Sequence, residues 1–160
     1  MIRCLVLILM VMGAFWQTSS AQIATDAHTV TLQVNQITLL AVSSAALNLT
    51  IDGSVAIPGQ DLMVVTDQTT MLLWGTNASA QKVTVNTSLA APLFTLRVVA
   101  LSPSVGTPAP EVTVNTVPTD FILNIGRSSG SSQMRYTGEA LASQGVGTDT
   151  HIITFTIVAQ

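Results

Sequence analysis

A chain of 160 residues with only 8% charged side chains, five basic against eight acidic, offers no concentrated positive charge, which excludes nucleic acid as a partner. Its one cysteine, Cys4, excludes an internal disulfide. With 48% hydrophobic residues, the fold is expected to rest on its own apolar core.

Residues 1–21 carry Arg3 as a positive start, an apolar run over 5–16 and a small-residue end at Ser19, Ser20 and Ala21. That order is the pattern of a secretory signal peptide, expected to be cut after Ala21. The apolar run is shorter than the ~20 residues a membrane helix needs, so no membrane span is expected in the mature chain. Export predicts a secreted or cell-surface protein. Removal of the leader takes Arg3 and Cys4 with it, leaving Lys82, Arg97, Arg127 and Arg135 as the basic residues.

From residue 22 onward the hydrophobic pattern has a period of two, which places one face of each strand in a core and the other toward water. Residues 28–34 alternate with Val30, Leu32 and Val34 on one face, and 36–42 restart the pattern through Ile37 and Leu39. The break at Asn35 and Gln36 predicts a bulge or a change of sheet. A strand over 47–51 is closed by the turn pair Asp52 and Gly53. Further strands are expected over 62–65, 70–76, 81–87 and 93–101.

The three prolines within 102–110 predict a connection outside any central ladder, because proline has no N–H to donate. Residues 111–115 resume the alternation. Thr119, after Pro118, is placed to cap a single helical turn through Phe121 to Leu123. Residues 127–132 and 143–147 read as mobile hairpin loops, and strands over 133–141 and 151–158 finish the chain. The expected fold is all-β: one antiparallel, immunoglobulin-like β-sandwich of about nine strands over residues 22–160, preceded by the signal peptide.

The chemistry-bearing residues are sparse. After processing there is no thiol, and no Gly-x-Ser-x-Gly turn accompanies His28 or His151, which both sit at outer strand ends and read as surface histidines. Asp52, Asp61 and Asp67 lie near loops without the spacing of a calcium loop and read as turn formers. No catalytic residues, metal ligands or cofactor are therefore expected, and no enzyme activity. Asn48, Asn77 and Asn86 head Asn-x-Ser/Thr triplets that read as chance in a chain rich in these residues. Trp74, in an apolar run, is expected in the core, and Tyr136, between Arg135 and Thr137, at the surface.

The stretch Leu73 to Asn77, followed by Lys82 to Val85, Glu111 to Val114 and the closing Thr150 to Ile157, resembles small secreted β-sandwich proteins of bacteria, including WxL-like and fimbrial-subunit-like surface proteins. Trp74 stands without a second Trp-x-Leu element near the C-terminus, so peptidoglycan attachment is not carried over. The resemblance implies a structural or adhesive surface role and supplies no catalytic residues.

Two modes of action are expected. In the first, uncharged strand edges pair with another copy or with other surface proteins, and residues 28–42 are the best donated strand. The competing reading makes that segment the first strand of a closed sandwich. In the alternative, the loops 53–61, 102–110 and 143–149 at one end of the sandwich bind a ligand, and Arg97, Arg127, Arg135 and Tyr136 meet an acidic extracellular glycan.

Overall fold

The computed structural model describes residues 25–160, so the expected export signal and its cleavage site after Ala21 lie outside the described residues. The chain divides into two units, Met1–Gln33 and Val34–Gln160. In the first, residues 25–33 carry no assigned strand and are exposed throughout. The strand expected over 28–34 is therefore not formed. Alternation gives a segment an apolar face but does not by itself make a ladder with a neighbouring strand.

The second unit contains ten strands in chain order: β1 (Thr38–Val42), β2 (Leu62–Asp67), β3 (Met71–Thr76), β4 (Gln81–Thr87), β5 (Thr95–Leu101), β6 (Thr107–Pro108), β7 (Val112–Thr113), β8 (Thr119–Ile125), β9 (Ser128–Leu141) and β10 (Ile153–Ala159). They form two antiparallel sheets packed on each other as a β-sandwich. One runs β1-β3-β9-β5-β7 with β2 also on β9, and the other runs β10-β4-β8-β6. Period-two alternation turns Leu72 and Trp74 of β3, Val98 and Ala100 of β5, and Met134 and Tyr136 of β9 inward. They share one core with Val83 and Val85 of β4 and Phe121, Ile122 and Ile125 of β8. The Phe121 ring packs against Phe155 of β10 with centroids 5.2 Å apart.

The long strand β9 is the spine of its sheet. Its first half pairs with β3, its second half with β2, and β5 lies along the other side. Residues 128–132, expected as a loop, are thus strand. Their smallness has a steric reason: Gly130 lies opposite Trp74, and a Cβ at Gly130 would stand 2.5 Å from the indole ring. Small side chains here make room for the largest one in the core. On the far side of β9, β2 and β3 act as one strand with a bulge, since Asp67 pairs with Tyr136 and Met71 with Gln133, four steps against three. Asp67 Oδ1 closes the bulge by accepting from the Thr69 N–H at 2.8 Å and the Thr69 hydroxyl at 2.7 Å.

Residues 119–125 form strand β8, not the expected helical turn. The Thr119 hydroxyl donates to the Val117 carbonyl at 3.2 Å instead of capping a helix. The register of β8 on β4 shifts twice, so the adjacent Phe121 and Ile122 are both fully buried. Burial between β4 and β6 outweighs one turn of helix, whose nucleation is unfavourable in isolation.

Other differences are smaller. In β1 the inward residue is Leu40, opposite Trp74, while Leu39 is 64% exposed, so the face is the reverse of the one expected from Ile37 and Leu39. Residues 47–51 form no strand, yet Leu47 and Leu49 still pack on the core. Within the proline-rich 102–110 connection, β6 pairs at the rim of its sheet, where Pro108 is tolerated. Residues 142–144 make a short 3-10 turn tied down by Asp61, whose Oδ1 accepts from the Ser143 N–H at 2.9 Å.

Candidate functional site

Three places could carry function: the cationic group selected by the sequence, the histidines and aspartates, and the strand edges with the segment that leads into them. Along β5 and β9 the register sets Arg97 opposite Thr137 and Val99 opposite Arg135. This brings Arg97 and Arg135 onto the same outward face. Arg97 Nη2 lies 3.0 Å from Glu139 Oε2 and its Nη1 3.8 Å from Glu111 Oε2, while Arg135 Nη2 lies 3.3 Å from Glu111 Oε1. The Thr137 hydroxyl donates to the same Glu111 oxygen at 3.3 Å. Two guanidinium groups and two carboxylates thus balance one another in charge, which leaves little unbalanced charge for an acidic ligand, although Arg97 Nε is buried without a hydrogen-bond partner.

Tyr136 lies on the opposite face of β9 from Arg135, as strand alternation requires, and is only 7% exposed. Burial pushes its hydroxyl up to about 12, so it stays protonated. The surface position expected for it is wrong. Arg127 is elsewhere, beyond the end of β8. Its Nε donates to the Asn77 carbonyl at 3.1 Å, and it lines an open polar depression with Asn35, Gln36, Asn77 and Gln81. Of the four residues expected to bind ligand, the fold brings only Arg97 and Arg135 together.

His28 lies in the exposed 25–33 segment. His151 stands just before β10, where its Nδ1 is 3.2 Å from the Thr87 hydroxyl at the end of β4. Burial lowers the pKa of His151, partly opposed by the negative charge of Asp149. Asp149 is itself engaged, since its Oδ2 accepts from the Phe94 N–H at 2.7 Å. Thr87 is 1% exposed, which keeps its hydroxyl out of reach of any substrate. This contact closes the end of the β4–β10 ladder. Asp52 is held in a turn by the Ser54 N–H at 2.8 Å and hydroxyl at 2.6 Å, which also lower its pKa. Asp52 and Asp67 each serve local backbone, Asp61 holds Ser143 across the fold, and among the described residues no three His, Cys, Asp or Glu side chains form a group that could hold a metal ion.

Sequence reasoning missed Asn77, which anchors the start of the second unit. Its Nδ2 donates to the Asn35 carbonyl at 2.8 Å, and its Oδ1 accepts from the Ile37 N–H at 2.7 Å. Its backbone N–H donates to the Ile37 carbonyl at 3.2 Å. A primary amide carries one acceptor and two donors, so it can continue a backbone ladder by one step beyond β3. Only the Asn-x-Ser triplet marked this residue in the sequence, and that pattern signals a different chemistry.

The strands at the rims supply the remaining feature. β10 and β1 end their respective sheets, and neither contains a charged residue or a proline. Natural edge strands usually carry one of these to discourage pairing with another chain. In comparisons with known proteins, no family model matches this chain, and neither does any curated protein or solved structure.

Proposed function

We propose that this chain is a secreted or cell-surface structural or adhesive protein, non-catalytic, which associates with further copies or other surface proteins by donating its N-terminal segment to a strand edge. The observation that carries this reading is the state of residues 28–34. Their apolar face is not hidden within the chain: Val30 is 77% exposed and Leu32 87%. An alternating segment of this kind gains most by lying along an unpaired edge, where backbone hydrogen bonds add affinity and every second side chain finds apolar surface. The uncharged rims β1 and β10 support the reading from the receiving side. Donation from one copy to the next is a head-to-tail contact, which extends into open chains unless a ring closes.

Export supports the same role through the leader pattern of residues 1–21. The test is deletion of residues 22–35. The intact protein is expected to form a concentration-dependent series of assemblies longer than a dimer, and the deleted form to lose that series while remaining folded by circular dichroism. An unchanged distribution after deletion contradicts the proposal.

A further inference from the structure

The outward face of the larger sheet carries a feature that edge pairing does not use. On β1, β2 and β3, and at the end of β9, Leu39, Leu62, Val64, Met71, Leu73 and Leu141 are 38% to 64% exposed. The register places them on one side. Leu73 pairs with Ser131, Met71 with Gln133, Val64 with Glu139 and Leu62 with Leu141, and all these β9 partners are odd-numbered and face outward. Leu39 joins them opposite Gly75. The bulge between β2 and β3 preserves this face, because it adds one residue on their side while β9 continues without interruption.

We infer that this apolar strip is the contact surface of a two-fold, face-to-face dimer with a second copy of the chain. Area is the first argument. The six side chains, grouped as Leu39, Met71 and Leu73 on one side of the exposed Thr66 and as Leu62, Val64 and Leu141 on the other, together present roughly 500 Å² of surface, within the range of about 300–600 Å² at which the largest patch on a monomer is often functional. A standard interface hides about 800 Å² per partner, of which about 60% is apolar, so the strip supplies the apolar share of one such interface. Charge is the second. The net charge of the chain is −3, yet the charged groups on this face, Arg97, Arg135, Glu111 and Glu139, are equal in number and paired with one another. A copy of the same face therefore meets a nearly neutral surface. Shape is the third, since two sheet faces pack about 10 Å apart with interdigitated side chains. An isologous contact of this kind closes at two copies, unlike donation of the N-terminal segment.

The inference stands apart from the proposed function, and its test keeps the two separate. The protein is produced by an exporting bacterial host and followed by sedimentation velocity from about 1 to 100 μM, a range that spans typical weak interfaces. Val64→Lys and Leu73→Lys, each at an exposed outward position, are expected to weaken dimer formation at least tenfold with unchanged circular dichroism. The form lacking residues 22–35 is expected to retain the dimer. Overturning results are a deleted form that stays monomeric at 100 μM or lysine variants that dimerise like the parent.

Discussion

Gly130 and Trp74 show how closely single residues determine this core. The indole lies over Gly130 of β9, which has no Cβ, and Gly130→Ala forces a contact of 2.5 Å onto it. Overpacking of this kind costs about 1–3 kcal/mol, so the urea midpoint is expected to fall clearly while the alanine at the exposed Gly53 leaves it unchanged. Asn77→Ala removes two side-chain hydrogen bonds to residues 35 and 37. At about 1 kcal/mol each, their loss is expected to make the chain near residue 36 the first site cut in limited proteolysis. His151 adds a pH dependence with a defined sign. Its folded-state pKa is lowered from 6.5, so the unfolded chain takes up the proton first, and stability falls as pH drops from 6.5 through the lower folded value. His151→Gln is expected to flatten that part of the stability profile, measured by urea unfolding between pH 7 and pH 5. Tyr136 acts at the other end: with its folded pKa at about 12 against 10 unfolded, stability declines as pH rises across that interval.

At the scale of elements, the strands that were legible are those whose alternation also meets a neighbouring strand in a sheet. β4 falls where the period-two pattern places it, β3 within one residue, and β5 and β10 within two. The failures have physical causes. Residues 128–132 look like a loop because Gly and Ser dominate them, and their strand conformation comes from Trp74 on the neighbouring strand. Residues 119–123 look like the start of a helix because Thr119 follows proline, and two register shifts against β4 decide otherwise. In 28–34 the pattern is clear, yet no strand is assigned and Val30, Leu32 and Val34 are exposed. The binding residues were less legible than the strands: Tyr136 faces inward by the parity of β9, and the glutamates that neutralise Arg97 and Arg135 come from a distant loop and strand. A contrast between two leucines tests this element-level account. Leu32→Asp is expected to change folding stability by less than about 0.5 kcal/mol, as for other exposed sites, whereas Leu72→Ala, fully buried, costs about 2–5 kcal/mol.

For the whole molecule, two kinds of unsatisfied surface set the expected behaviour. Rims without charge or proline and an N-terminal segment with an exposed apolar face favour head-to-tail growth, while the outward strip on β1, β2 and β3 favours a closed pair. Both depend on apolar burial and backbone pairing with little unbalanced charge, so association is expected to persist in high salt, where contacts built on charge weaken. The most direct measurement is sedimentation velocity of residues 22–160 and of residues 36–160 over a range of concentrations. Assemblies beyond the dimer that grow with concentration and vanish on deletion agree with a donated segment. Identical profiles for the two forms, or an intact chain that never exceeds a dimer, contradict it.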